Sequence, residues 1–213
     1  MKRAHRYVLI DSPYYILDRR ARKFSKHRSR KIKKLIFLAV LLTVVAVVIV
    51  LFSMLGKNDS SVARVLLRTN MGDITIELYD DMSIATGNFK KLVQQRVFDG
   101  TIFHRVIDGF MIQGGDPTGT GYGDPAIPTI PDEFTDHNRN DRGTIAMANK
   151  GPNTGSSQFF INLVDNNYLD SKHPVFGKVV EGMDVVDNIA KVATDENDRP
   201  LQEVKIIKAE LID

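Results

Sequence analysis

The stretch Phe103–Asp116 reads FHRVIDGFMIQGGD and places a permanent cation in an apolar setting. Arg105 lies between two short apolar runs, which are typical of short strands, and the stretch closes with Gly-Gly-Asp. An arginine side chain keeps its charge at any physiological pH, and burying a charge without partners is costly. The rest of the chain must therefore show which chemistry requires a cation at this place.

Composition and charge divide the chain into two parts. The 213 residues are 43% hydrophobic and 26% charged, which permits one good-sized domain and additional segments. Residues 1–34 contain 13 Lys/Arg and 2 Asp, whereas the remaining 179 contain 16 Lys/Arg and 24 Asp/Glu. The basic first part is expected to bind anionic surfaces, and the acidic second part is not. The absence of cysteine excludes disulfides and thiolate chemistry.

Residues 35–55, LIFLAVLLTVVAVVIVLFSML, form an apolar run of 21 residues without charge, Gly or Pro. As a helix this run would be about 31 Å long, which matches the hydrocarbon core of a bilayer. A buried core helix would normally carry a polar stripe, and a cleaved signal peptide would end in a small-residue site that is absent here. We therefore predict an uncleaved transmembrane signal anchor.

Charge also predicts the orientation of this span. Basic clusters that adjoin a membrane span stay cytoplasmic, so residues 1–34 are expected to form a cytoplasmic leader near anionic lipid headgroups. Nucleic acid is the rival partner of the leader, but its position beside the span explains the charge without it. A polar linker at 56–63 and a globular domain at 64–213 then lie outside the cytoplasm. The whole is predicted to be a single-pass protein of the cell membrane.

The globular part predicts an all-β-dominated fold. Ile74, Ile76 and Leu78 alternate with polar residues as in a half-buried strand, and the final run VKIIKAELI is a strand that can pair with the first. Helical periodicity appears after Ser83, a candidate N-cap, and again over Met183–Val192. Many short strands with two helices favour a closed barrel capped by helices over alternating βαβ units. The other expected strands are Thr101–Ile107, Phe110–Gln113, Thr144–Ala148, Gln158–Leu163 and Val175–Val180.

Several kinds of site are not favoured by the polar residues. The histidines lack the close helical spacing of a zinc site, so no metal is expected. Ser156 and Ser157 lack the Gly-x-Ser-x-Gly turn of a hydrolase, and the Gly-rich loop after Asp116 has no phosphate-binding Lys-Ser/Thr. What stands out is a set of neutral or cationic donors among apolar residues: Arg105, Gln113, Asn149, Gln158 and His173.

Three motifs in order, FHRVIDGFMIQGGD, AMANKGPNTGSSQFFI and YLDSKHPVFGKVVEGMDVVD, resemble the cyclophilin family of peptidyl-prolyl cis-trans isomerases. The similarity runs from about Val65 to Ile212. It implies an eight-stranded antiparallel closed β-barrel with two helices, an active groove on its outer face and catalysis of X-Pro rotation without a cofactor. The expected partners are proline-containing polypeptides, and the expected task is folding of exported or surface proteins. The alternative is a membrane-tethered module that binds or assembles proline peptides with incidental turnover.

The reaction explains why a cation is useful. Amide resonance imposes a rotation barrier of about 18–20 kcal/mol, and the two X-Pro isomers are close in energy, so only the barrier needs lowering. A fixed cationic donor would favour the twisted amide, whose nitrogen has regained its lone pair. The resemblance makes Arg105 this catalytic donor. It makes the proline pocket from Phe110, Met111, Phe160 and Leu169.

The remaining site residues also follow from the resemblance. Gln113 is expected to steady Arg105 and meet the substrate backbone, and Ala148 and Asn149 to bind the peptide main chain. Thr120 is expected at the rim of a neighbouring subpocket. Further groove residues are Gln158, Tyr168 and His173.

Two departures and two alternatives accompany these assignments. Tyr168 stands where many members of the family carry a Trp that contributes to cyclosporin binding, so only weak cyclosporin binding is expected. The loop from Asp116 to Thr120 is short, which with the anchor and the lack of Cys suggests a bacterial or archaeal member. The pocket residues could instead be ordinary core, and Arg105 could be a structural ion-pair partner of Asp108 or Asp116.

Overall fold

The computed structural model describes residues 33–47 and 62–212, which belong to two separate units of the chain. In the first unit, residues 33–47 are helical (α1). Across both described ranges, no helix combines the length and the apolar character needed to cross a membrane. The end of the predicted span at 35–55, nearly all of the leader and most of the linker lie outside the described residues. The signal anchor therefore stays a prediction.

The second unit contains two α-helices and eight strands, and the strands form one antiparallel sheet. The strand order is β3-β4-β6-β5-β7-β2-β1-β8, so the last strand pairs with the first, as expected. The elements are β1 Arg64–Thr69, β2 Gly72–Leu78, α2 Ser83–Gln94, β3 Arg105–Ile107, β4 Met111–Gly114, β5 Thr144–Met147, β6 Phe159–Asn162, β7 Val175–Glu181, α3 Met183–Ala190 and β8 Ile206–Ile212.

The sheet curls into a half-barrel, and this corrects the expectation of a closed barrel. No ladder joins the two end strands, β3 and β8, within the described residues. Instead Ile102 forms single bridges to Asp116 and Lys205, and the Phe103 amide donates to the Val204 carbonyl at 2.9 Å. The reason is that β3 has only three residues, so the irregular chain before it makes the contacts that a longer strand would make.

Alternating side chains build the core inside the curl. Ile74, Ile76 and Leu78 of β2 are at most 1% exposed, as the period of two predicts. Helix α2 lies against β7 and β8 and inserts Phe89 into the core, with its ring 5.5 Å from that of Phe159. Helix α3 lies against β2, β3 and β4. The two helices thus cover the core and leave the outer face of β3, β4 and β6 available.

Helix α2 begins differently from the prediction. Ser83 is its first residue rather than its N-cap, which is Met82 and makes no side-chain capping bond. The carboxylate of Glu133, from a distant loop, accepts the amides of Ile84 at 2.8 Å and Ala85 at 3.2 Å. An anion at this end satisfies free N–H groups and complements the helix dipole.

The Gly-Gly-Asp ending of the opening stretch shapes the backbone. Gly115 has φ +81°, and a Cβ there would lie 2.5 Å from the Ser157 carbonyl oxygen, so only glycine fits. Asp116 is fully buried and accepts the amides of Gly121 at 2.7 Å and Gly123 at 3.1 Å. Burial raises the pKa of Asp116, but hydrogen bonds from Thr118, Gly123 and Gly121 outweigh it and leave the pKa lowered. The motif ends β4 and holds the loop beside the site.

Candidate active site

Neighbouring strands place one side chain each in a single row across the outer face of the sheet. Arg105 lies opposite Gln113, Gln113 opposite Phe160, and Phe160 opposite Ala146. Adjacent strands are about 4.8 Å apart, so these side chains are within reach of one another despite their separation in sequence. The strand register therefore assembles the cation, the amide and the aromatic ring of the candidate site.

A recess with an apolar cluster in its walls opens in this row. Met111 and Phe160 are 2% and 4% exposed and belong to a small cluster separate from the main core, with Phe110 and Leu169 packed against it. Met111 and Phe160 are therefore buried, as the alternative of ordinary core residues required, but they lie on the outer face of the sheet and not in the main core. A cavity of about 250 Å³ lies here. Its lining consists of nine of the predicted site residues: Arg105, Phe110, Met111, Gln113, Ala148, Asn149, Phe160, Leu169 and His173.

Arg105 lies at the edge of the recess and is not buried, although its neighbours in sequence are apolar. Its side chain is 44% exposed, and its Nε is 3.4 Å from Oδ2 of Asp198. Neither of the two ion-pair partners considered from the sequence is used. Asp108 instead pairs with Lys191 at 2.8 Å, and Asp116 holds the loop described above. The cation is accessible to a ligand in the recess.

Gln113 forms a hydrogen-bond chain that the sequence did not predict. Its Nε2 donates to Oε1 of Gln158 at 2.9 Å, and Nε2 of Gln158 donates to the Gly121 carbonyl at 3.0 Å. In the described residues Gln113 makes no hydrogen bond to Arg105, although the two lie opposite each other. The chain instead ties β4 and β6 to the loop after Asp116.

His173 and Asn149 fasten the far wall of the recess. His173 Nδ1 lies 3.0 Å from the Met147 carbonyl oxygen, and its ring meets Phe160 edge-on at 5.3 Å. Asn149 Nδ2 donates to the Lys172 carbonyl at 2.8 Å. Both predicted residues therefore line the recess and also hold the end of β5 against the segment that precedes β7.

A second, larger cavity of about 610 Å³ adjoins the recess. Arg105, Gln113, Ala148 and Asn149 line both cavities, and Gln158 lines only the second. The two cavities form one groove, with Phe110, Met111 and Phe160 at one end. An extended peptide that placed an apolar ring in the recess would have room for its neighbouring residues in the second cavity.

Comparison with known proteins decides the family of this domain. The family model of the cyclophilin type peptidyl-prolyl cis-trans isomerases matches residues 64–211, which is more than half of the chain. The chain belongs to the cyclophilin family. It is a cyclophilin-type peptidyl-prolyl cis-trans isomerase, and eight antiparallel strands with two helices agree with that fold.

Two relatives and one solved structure match this chain over nearly the whole of their own lengths. The chain is 48% identical over 153 residues to the peptidyl-prolyl cis-trans isomerase ppi1 of Schizosaccharomyces pombe, covering 69% of this chain and 97% of that protein. It is 46% identical to the peptidyl-prolyl cis-trans isomerase-like 1 of Neurospora crassa, covering 70% and 93%. A cyclophilin-type isomerase of Cryptosporidium parvum, crystallised in the presence of the dipeptide Ala-Pro, has a TM-score of 0.67 and 35% identity, covering 70% and 99%.

These relatives bear on the expected origin of the chain. All three organisms are eukaryotes, so they give no support to a bacterial or archaeal assignment. The short loop after Asp116 therefore does not identify a prokaryotic cyclophilin. The assignment rested on loop length, the apolar segment and the lack of cysteine, none of which belongs to the chemistry of the groove.

Two predicted groove residues of this cyclophilin line neither cavity. Tyr168 is 66% exposed and stacks on Phe110, with ring centroids 6.4 Å apart and planes 17° apart. Thr120 turns its hydroxyl toward the loop, 2.8 Å from Oγ1 of Thr118 and 3.4 Å from Oδ2 of Asp116. Tyr168 supports the recess from outside, and Thr120 supports the loop whose next residues line the second cavity.

Sequence reasoning missed residues that the loops bring to the groove. Lys150 and Tyr122 line the second cavity, where Lys150 Nζ donates to the Tyr122 carbonyl at 2.9 Å and lies 5.6 Å from the ring centroid. Lys150 falls inside one of the family motifs, which was an available signal. Asp198, the partner of Arg105, lies 93 residues away in a turn with no periodic pattern to reveal it.

His104 lies directly before Arg105 but is buried, with 7% exposure. Within the described residues neither ring nitrogen has a hydrogen-bond partner, and the ring packs against Gly121. Burial lowers the pKa of His104, and the nearby Asp116 carboxylate opposes this shift only in part. A neutral His104 adds no second positive charge beside Arg105.

Proposed function

We propose that Arg105 is the catalytic donor of this isomerase and that the recess beside it holds the proline ring. The single observation that carries the proposal is the position of an accessible guanidinium at the edge of a cavity of about 250 Å³ that has apolar side chains in its walls. Phe110, Met111 and Phe160 supply apolar walls of that cavity. A cavity of this kind suits one small apolar ring and leaves the adjoining amide near the cation.

The chemistry requires only differential binding of the twisted amide. In the planar amide the nitrogen lone pair is delocalised, and in the twisted state it becomes a hydrogen-bond acceptor. A guanidinium N–H that meets this nitrogen binds the twisted state better than the planar state, which lowers the barrier. Arginine suits the task because it stays protonated and presents several donors in a rigid plane. No bond is broken and no proton needs to be transferred.

The groove supplies the alignment that this chemistry needs. Gln113 and the backbone at Ala148 and Asn149 lie between the recess and the second cavity, where an extended peptide could be held. Holding the chain on both sides of the X-Pro bond lets rotation occur about that bond alone. Alignment of this kind can supply a large part of a catalytic effect because the entropy of orientation is already lost on binding.

The test is the Arg105→Ala variant with an X-Pro peptide, followed by NMR exchange or a protease-coupled assay. We expect kcat/KM to fall by roughly 10²–10³, the typical effect of removing one preorganised donor. Arg139→Ala is the matched control, since Arg139 is also exposed and ion-paired, with Asp141 at 3.2 Å, but is not part of the groove. A rate for Arg105→Ala within about two-fold of the parent rate would contradict the role, because surface substitutions without a function commonly cause changes of that size.

We further propose that residues 35–55 tether the enzyme to the cell membrane with its N-terminus in the cytoplasm and the isomerase outside. The support is the uncharged apolar run, the basic leader before it, and the exposure of apolar side chains such as Leu35 at 65% and Phe37 at 71%. Such side chains require an apolar partner, and a bilayer is one. Slow X-Pro rotation limits the folding of many chains, so exported or surface proteins are the proposed substrates.

Sidedness is tested by protease accessibility in intact cells and in inverted vesicles. We expect cleavage of the isomerase domain from outside intact cells and protection in inverted vesicles. Release of the protein by alkaline carbonate, or the reverse pattern of protection, would contradict the tether or its orientation.

A membrane-tethered binding or assembly module is the second candidate function. The observation that favours it is the second cavity, which offers room to recognise residues beyond the proline. In this case the groove would serve to hold a proline-containing partner, with turnover incidental. Full rescue of a deletion strain by Arg105→Ala would support the module, whereas failure to rescue would support the catalytic function.

We also propose weak cyclosporin binding. Tyr168 lies outside the recess and stacks on Phe110, and it stands where many members of the family carry a Trp. A larger ring would extend the apolar surface at this edge. Tyr168→Trp is expected to tighten cyclosporin binding measured by titration, with peptide turnover little changed; equal affinities would contradict the proposal.

A further inference from the structure

A turn at residues 195–199, between α3 and β8, brings a carboxylate to Arg105. Oδ2 of Asp198 lies 3.4 Å from Nε of Arg105. The Asp198 carbonyl also accepts the amide of Val106 at 2.8 Å. The backbone of the turn is thus fixed to β3 one residue beyond the arginine, which leaves the Asp198 side chain little freedom of position relative to Arg105.

The turn does not need the Asp198 carboxylate for its own structure. Oδ1 of Asp195 accepts the amides of Asn197 and Arg199, each at 2.9 Å, and the Asp195 amide donates to the Arg199 carbonyl at 2.8 Å. Arg199 also donates to the Gly119 carbonyl at 2.7 Å, which fixes the turn to the neighbouring loop. Among the described residues, the carboxylate of Asp198 has Arg105 as its only hydrogen-bond or ion-pair partner.

The backbone at Asp198 adds to this point. Its φ of 62° is in the left-handed region, where glycine, asparagine and aspartate are the residues most often found. This conformation admits an aspartate but does not require its negative charge. The acidic group is explained by the contact with Arg105 rather than by the turn.

The contact uses one particular donor of the guanidinium. Arginine has five N–H donors, of which Nε–H is nearest the backbone and the four others are on the terminal nitrogens. Asp198 contacts Nε, and in the described structure the terminal nitrogens make no hydrogen bond to protein. Arg105 lines the recess and the second cavity at the same time, so its free donors are available to a ligand in the groove.

We propose that Asp198 is a positioning residue that holds Nε of Arg105 and leaves the terminal nitrogens for the X-Pro amide. This inference rests on the proposed role of Arg105. Both side chains are more than 40% exposed, so the pair is weak and its loss should reduce the rate without abolishing it. Substrate binding should change little, because Asp198 lines neither cavity.

The experiment compares kcat and KM of the Asp198→Gly and Asp198→Asn variants on an X-Pro peptide. Both substitutions tolerate the left-handed backbone, so folding is preserved, which thermal melting checks. We expect Asp198→Gly to lower kcat about two- to five-fold with KM nearly unchanged, the range for an exposed ion pair. Asp198→Asn should lose less, because its amide oxygen can still accept from Nε. The matched control is Asp108→Asn, which removes an exposed, ion-paired carboxylate following the same strand and should leave kcat unchanged.

A double-mutant cycle separates positioning from a structural effect. In an Arg105→Ala background, Asp198→Gly should cause no further loss of the residual rate. An equal loss in both backgrounds, or no loss in the parent background, would overturn the positioning role while the catalytic role of Arg105 stands. If Arg105→Ala itself keeps the parent rate, the proposed function fails first, and the positioning role fails with it.

Discussion

The inner and outer faces of strands β4 and β6 present a direct comparison, because alternating residues of the same two strands build them. On the inner face, Ile112, Phe159 and Ile161 are 0% exposed and belong to the main core. On the outer face, Gln113 and Phe160 line the recess. Side chains alternate between the faces of a strand, so of two residues adjacent in sequence one packs in the core and the other faces the recess.

The difference between the faces lies in what each side chain contacts. Inner side chains pack in the main core, as Phe159 does against Phe89 and Phe98 at 5.5 and 5.7 Å between ring centroids. Outer side chains leave one side open to a ligand. Substitutions on the inner face should therefore reduce stability first, and those on the outer face should reduce turnover first. Neighbouring residues allow this rule to be tested.

The largest effect is expected for Phe159→Ala on the inner face. Removing this fully buried ring leaves a sealed cavity among aromatic side chains, and the free energy of unfolding should fall by about 3–5 kcal/mol. Urea unfolding measures it. Phe134→Ala is the control, because Phe134 is 45% exposed and its loss should cost less than about 0.5 kcal/mol. Equal urea midpoints for the parent and Phe159→Ala would contradict the rule that inner-face side chains determine stability.

The next effect is expected for Phe160→Ala on the outer face. The proline ring would lose an apolar wall worth about 1.5–3 kcal/mol of burial, so kcat/KM should fall roughly ten- to hundred-fold, mainly through a higher KM. Stability should fall less than in Phe159→Ala, because the void opens to the groove and water can enter. A variant with normal turnover and a large stability loss would show that Phe160 serves only as core.

A smaller effect is expected for Gln158→Ala, which breaks the chain from Gln113 to Gly121. The loss of hydrogen bonds that orient Gln113 should reduce kcat/KM about three- to ten-fold, the value of roughly one hydrogen bond. Faster amide exchange at Gly121 should accompany it, since the loop loses its tie to β6. Gln94→Ala on the exposed side of α2 is the control. Unchanged turnover together with faster loop exchange would limit the chain to a structural role.

The sequence predicted what depends on periodicity and on contiguous motifs. The alternation of Ile74, Ile76 and Leu78 located β2. The motif FHRVIDGFMIQGGD contained four of the nine residues that line the recess: Arg105, Phe110, Met111 and Gln113. Strand register then brought these residues to one face. Such features follow from local pattern, so they could be predicted without coordinates.

What depends on loop geometry could not be predicted. Glu133 caps α2 from 49 residues beyond Ile84, and Asp198 reaches Arg105 from 93 residues away. Neither carboxylate lies in a periodic segment, and many other acidic residues could have served. The half-barrel was also missed, because closure depends on how far β3 extends, which alternation over three residues does not settle.

The smallest effect is expected for His104. In sequence this residue lies between Phe103, which belongs to the core, and Arg105, which lines the recess. Burial lowers the pKa of His104 below its ordinary value of 6.5, although Asp116 opposes the shift. As pH falls from about 6.5, the unfolded chain binds a proton that the folded chain does not, so stability decreases with a slope of at most about 1.4 kcal/mol per pH unit. Above that pH the penalty is absent. Urea unfolding of His104→Gln and the parent from pH 8 to pH 5, each referred to its own value at pH 8, should give a shallower decline for the variant. Parallel declines would mean that the buried ring takes up its proton as readily as an exposed one and that neutrality beside Arg105 is not maintained by the fold.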